Sequence, residues 1–167
     1  MGDTDWASAL DQQAASEPCF TAQFADGRAI TSGPAKFSRG RIPTSENPSR
    51  SDPFASWRWD GNRLVVRNDR YGFQPLFYSF HDSNFMISPS LVKLLLAGAP
   101  GDIDQAALGT LLRLNYLLGE DTPFQFIRAV PPNTEMHWEK GDLTVQGRHI
   151  IHPTQRMSRD ASIDGFQ

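Results

Sequence analysis

The chain is 167 residues long, with sixteen lysines and arginines against nineteen aspartates and glutamates and a formal net charge of −3. That length suits one compact domain with its own core, and the mild acidity excludes a basic nucleic-acid-binding surface as its main feature. Its longest apolar runs, such as residues 94–97, fall far short of the roughly 18 residues that a membrane span requires. One cysteine, Cys19, leaves no internal disulfide and no multi-cysteine zinc site. Residues 1–16 carry Asp3, Asp5 and Asp11 where a secretion signal would have a basic end and an apolar centre. A cytoplasmic location is the expectation.

Residues 20–24 and 28–31, joined through Asp26-Gly27, predict a hairpin, because Asp-Gly accepts the positive φ angles of a tight turn. Residues 32–53 hold Pro34, Pro43, Pro48 and Pro53 with only Phe37 and Ile42 as large apolar side chains, which predicts a long irregular segment. A second hairpin pairs residues 56–59 with 63–68 about Asp60-Gly61-Asn62. Trp57 and Trp59 are expected to divide between the two faces of its sheet. Residues 75–80 and 84–88 form a third pair through His81-Asp82-Ser83. The period then changes to helical. Ser88 or Ser90 caps a helix with Leu91, Leu94 and Leu95 on one face, ended by Gly98 and Pro100. Asp102 or Asp104 opens a second, in which Ile103, Ala107, Leu108, Leu111 and Leu112 recur at helical spacing to about Leu114. Both apolar faces are expected to pack on the sheet. After Pro131-Pro132 come strands at 134–138 and 143–146, and the polar residues 151–167 read as a tail or linker. The whole is α+β with an antiparallel sheet.

Several of these segments carry a resemblance. Residues 63–78 resemble the strand and R-D-R-F-G-x-x-P-L-Y-Y stretch of asparagine synthetases, matched at Asp69, Arg70, Gly72, Pro75, Leu76 and Tyr78. Residues 85–95 resemble that family's f-a-S-E-i-K-a-L, with Pro89 and Ser90 at the S-E step. Ile103-Asp104 with Ala107-Leu108 resembles its l-D-x-x-A-L helix start, residues 119–124 its G-x-x-T-x-F turn, and residues 130–134 its l-P-P-G-h approach to a strand. Five motifs in order, over about residues 57–146, are similar to the amino-terminal, class II glutamine amidotransferase part of an asparagine synthetase. The resemblance implies an Ntn-hydrolase-like αββα sandwich of antiparallel sheets with helices, here truncated, with residues 1–150 as the glutaminase-like domain. The family activity would be asparagine synthase (glutamine-hydrolysing).

In that family a cysteine at the first position attacks the glutamine amide, its own α-amino group serves as base, and fixed donors hold the oxyanion. The chain opens Met1-Gly2-Asp3, and neither the R-G-P-D nor the N-G-E stretch that clamps glutamine is present. Cys19 is the remaining nucleophile candidate, but Phe20-Thr21-Ala22 departs from the family's C-G-I start, and a small half-buried strand residue is the plainer reading. His149 and His152 lack the further ligands of a metal site. The turn at Asp69, Arg70, Tyr71 and Gly72 reads as a structural or interface element rather than acid–base machinery. No cofactor and no metal are expected. The resulting expectation is an inactive glutaminase-like domain that docks on an ATP-dependent amide-forming synthetase of the asparagine synthetase type, with oligomeric state open. The alternative is a glutamine amidohydrolase using Cys19 after processing. A third, weaker reading is a free-standing binder of a small amide.

Overall fold

The computed structural model describes residues 16–42 and 52–147. Within these residues the first strand, β1 (Phe20–Ala25), turns through Asp26 and Gly27, both at positive φ, into β2 (Arg28–Ser32). β3 (Lys36–Gly40) follows, then β4 (Phe54–Trp59) and β5 (Arg63–Asn68), whose hairpin is closed by the Asp60 carboxylate accepting from Asn62 N–H at 2.9 Å and Arg63 N–H at 2.8 Å. β6 (Phe77–His81) and β7 (Asn84–Ser88) meet at a two-residue turn in which Asp82 and Ser83 both take positive φ. Two helices come next, α1 (Leu91–Leu96) and α2 (Gln105–Leu114), then β8 (Ile127–Ala129), β9 (Thr134–Glu139) and β10 (Asp142–Gly147).

Among the described residues all pairings are antiparallel, and they build two five-stranded sheets, in the orders β2-β1-β7-β6-β8 and β10-β9-β5-β4-β3. The sheets stack face to face. Alternate residues of each strand share a face, so Phe20, Ala22, Phe85 and Ile87 from the first sheet meet Ala55, Trp57, Leu64, Val66, Met136 and Trp138 from the second in one buried cluster. The Phe20 and Trp59 rings lie 6.0 Å apart across the interface. The fold is therefore an α+β, Ntn-hydrolase-like sandwich of two antiparallel sheets.

Three expectations change. Trp57 and Trp59 do not divide between faces: both join the interior, because β4 is a regular strand and residues two apart in it point the same way. The segment read as irregular contains β3, which pairs with β4 along Lys36↔Arg58 to Gly40↔Phe54. Phe37 stacks on Trp57 at 4.3 Å, and the Trp57 indole N–H donates to the Pro34 carbonyl at 2.9 Å. A short run with one aromatic becomes a strand because a distant tryptophan receives it. The third change concerns the helices. α1 lies on the outer face of the first sheet, where Leu94 is fully buried and Leu91 and Leu95 pack beside Ile127, Phe77 and Met86. α2 buries only Ala107, and Leu112 is 86% exposed. Among the described residues, no helix covers the outer face of the second sheet, which presents Lys36, Arg58, Arg63, Arg67, Glu135, His137 and Glu139. The tail at 151–167, with His152, and His149 just before it lie outside the described residues.

Candidate functional site

The Asp69 turn is the most elaborately bonded place in the molecule. Asp69 follows β5 and is 2% exposed. Its carboxylate accepts backbone N–H bonds from Tyr71 (2.8 Å), Gln74 (3.2 Å), Phe73 (3.3 Å) and Phe54 (3.3 Å). A buried carboxyl group is tolerated where hydrogen bonds replace its water, and four amide donors do that here. The same residue's carbonyl accepts from Asn133 N–H at 2.7 Å, while Asn68 Nδ2 donates to the Val130 carbonyl at 3.1 Å. Gly72, at φ +68°, passes so close to Pro132 that a Cβ would lie 3.4 Å from the proline side chain. Two of the motifs read from the sequence, around 68–72 and 130–134, are thus one knot. Its carboxylate is fully engaged inward, and what the knot presents outward is Arg70, Tyr71 and Phe73. Tyr71 and Phe73 are exposed, their rings 5.3 Å apart, with the Arg70 guanidinium 5.6 Å above Tyr71.

A third motif is a smaller knot of the same kind. The buried Thr122 hydroxyl donates to the Ile127 carbonyl at 2.6 Å and accepts from Phe124 N–H at 3.1 Å. Next to it the chain returns to α2: Asp104 N–H donates to the Pro123 carbonyl at 2.9 Å and Gln125 N–H to the Asp102 carbonyl at 2.9 Å. α2 is capped by the Asp104 carboxylate on Ala107 N–H at 3.0 Å and closed by Asn115 at φ 60°. Held from its amino-terminal end, it carries Leu112 and Leu114 outward, and Tyr116 and Leu118 just beyond it are exposed as well.

Cys19 stands immediately before β1. Its side chain packs with Leu94, Ala99 and Ile127 on the outer face of the first sheet beneath α1, not in the sandwich interior that Phe20 and Ala22 enter. Burial pushes the thiol above its ordinary range, against weaker opposing effects from the Lys93 charge and a backbone hydrogen bond from Ile87. The backbone around it is pinned. Ser88 Oγ donates to the Pro18 carbonyl at 2.8 Å, and Arg39 Nη2 reaches Glu17 Oε2 at 2.9 Å. Gly33, at φ +89°, lies against the Cys19 carbonyl with no room for a Cβ. Two shallow depressions, of about 590 and 560 Å³, open on the second sheet, and neither is lined by Cys19 or Asp69.

Comparison with protein families decides what this scaffold is. The model of the glutamine amidotransferase domain matches residues 53–149, more than half of the chain. The chain belongs to that family. No curated protein matches it. The amidotransferase match begins just before β4 and spans β4 to β10 with both helices, so the Asp69 and Thr122 knots lie inside it and β1, β2, β3 and Cys19 lie outside. Within the amidotransferase domain the structure unites Asp69, Tyr71 and Gly72 in one turn, and it keeps Cys19 apart from them on another face. Sequence reasoning missed Phe73, which stands beside the chosen turn residues, and the exposure of Leu112. The aromatic residues two apart at 71 and 73, beside Arg70, were a legible sign of the first; the second had none.

Proposed function

We propose that this chain is a degenerate glutamine amidotransferase-like domain related to asparagine synthetases, which acts as a non-catalytic docking module for an ATP-dependent amide-forming synthetase. The observation that carries the docking is α2: a well-capped amphipathic helix that buries only Ala107 and leaves Leu112 86% exposed. An apolar stripe of this kind marks an interaction surface. Inactivity is supported by Cys19, whose thiol is raised by burial and whose amide nitrogen is bonded to Pro18, leaving no amine beside it to act as base. The kinship with asparagine synthetases rests on the ordered motifs at residues 63–134, and residues 151–167 serve as the tail or linker toward the synthetase. A cytoplasmic location goes with a lone unpaired cysteine, and no helix among the described residues is long and apolar enough to cross a membrane.

Incubation with glutamine tests the first half. No ammonia is expected beyond that from Cys19→Ala, and release that Cys19→Ala abolishes would overturn it. For the second half, the chain is titrated against a synthetase of the asparagine synthetase type. Leu112→Asp is expected to weaken binding at least about tenfold while leaving the thermal midpoint in place; unchanged binding would reject α2 as the contact. A second reading, an amidohydrolase that uses Cys19 after processing, is favoured by the position of Cys19 directly before β1. Cleavage after Pro18 would sever Glu17, and with it the ion pair to Arg39, from β1. An intact mass beginning at Met1 or Gly2 in an active preparation would sink that reading.

A further inference from the structure

The four outer strands of the two sheets differ in how they guard their unpaired backbone groups. Natural edges are blunted by lysine or other charge, by proline, or by brevity. β8 is three residues long and holds Arg128. β3 contains Lys36 and Arg39. β2 starts at Arg28 and runs directly into Gly33-Pro34. β10 is six residues long, with Asp142 at its turn end and then Leu143, Thr144, Val145, Gln146 and Gly147, which carry neither charge nor proline. Among the described residues nothing pairs with its outer side.

We propose that β10 is a self-association edge, on which a second copy of this chain lays its own β10 antiparallel, joining two five-stranded sheets into one of ten. The strand register allows this. A two-fold axis perpendicular to the sheet maps each face onto itself, so paired residues must lie on one face, and the axis passes through Thr144 or Val145. With the axis at Thr144, Leu143 faces the second copy's Val145 and Asp142 faces its Gln146. With the axis at Val145, the two valines meet and Thr144 faces Gln146. In either register the half-exposed Val145, 48% accessible, is covered by an apolar partner, and no like charges oppose. The depression bordered by Asp142, Thr144 and Gln146 is then continuous with its symmetry mate. A second β10 brings an apolar residue onto Val145 and opposes no like charge in both registers by its own sequence, a match that an unrelated extended peptide would have to supply, which favours a second copy as the occupant. One strand pair is a small interface, so association is weak and concentration-dependent.

The test uses the full chain in sedimentation equilibrium over about a hundredfold range of concentration, paired with hydrogen exchange at both extremes. The expected result is a monomer–dimer equilibrium, with β10 amides protected at high concentration and exchanging freely when dilute. Thr144→Lys sets two ammonium groups at or beside the axis and should weaken the dimer at least about tenfold. Thr144 is exposed, so an unchanged thermal midpoint at low concentration will show that the variant still folds. A monomer throughout, a dimer indifferent to Thr144→Lys, or β10 protection independent of concentration, as a covering by residues 148–167 would give, overturns the proposal.

Discussion

The two helices carry nearly the same sequence logic and meet opposite fates. α2 is the longer, ten residues against six, and its apolar positions recur more regularly. Both have a side-chain cap, Ser90 Oγ on Lys93 N–H at 3.2 Å and Asp104 on Ala107 N–H at 3.0 Å. Yet α1 buries Leu94 completely against the first sheet, and α2 leaves Leu112 in water. Periodicity says which face of a helix is apolar, whereas what covers that face depends on where the chain delivers it. α1 follows β7 after only Pro89 and Ser90 and folds back on its own sheet, while α2 is held from its amino-terminal end by the loop before β8.

The contrast can be broken at several points. The largest effect is expected from Leu94→Ala, which opens a cavity under α1 and should cost about 2–5 kcal/mol in denaturant unfolding, against a change of about 0.5 kcal/mol or less for Leu112→Ala. Equal losses would mean that α2 is docked after all. Next come the caps. Ser90→Ala should lower global stability by about 1 kcal/mol, because α1 is part of the core. Asp104→Ala removes a bond of the same kind, but its effect should appear as faster amide exchange within α2, with a smaller shift of the global midpoint.

The smallest effect concerns Cys19, under α1. Cys19 and Tyr78 are both raised, each chiefly by burial, with the Glu120 charge adding to the effect on Tyr78. A folded-state pKa above the unfolded value favours the protonated form in the fold, so this stability is fully present below about pH 8.5, the ordinary thiol value. It is lost as pH rises, because the unfolded chain releases its protons first. Thermal midpoints should therefore decline on the alkaline side, and Cys19→Ala should make that decline shallower; an identical slope would remove the thiol from the account.

Much of the fold was legible because its signals are local. Asp26-Gly27 and Asp82-Ser83 turn the chain by their own tolerance of positive φ, and Ser90 and Asp104 cap helices within three residues of themselves. β3 and β8 were not legible, since each is a strand by virtue of its partner: Phe37 has Trp57, and Ile127 has Ser79 of β6. The Asp69 turn fell between these cases. Its residues drew notice as a motif, but that the carboxylate is saturated by four amides, one of them from Phe54, could be seen only once β4 and β5 were paired.

By itself, then, the sequence determined the turns, the caps, most of the strands and the apolar face of each helix, all set by hydrogen bonds and periodicities spanning a few residues. Tertiary structure alone decided which faces are covered. It turned the face shared by both tryptophans of β4 into the interior, placed Cys19 beneath α1, left Leu112 exposed and, among the described residues, gave β10 an open side. Burial and edge exposure depend on contacts between residues distant in the chain, and no local pattern encodes them.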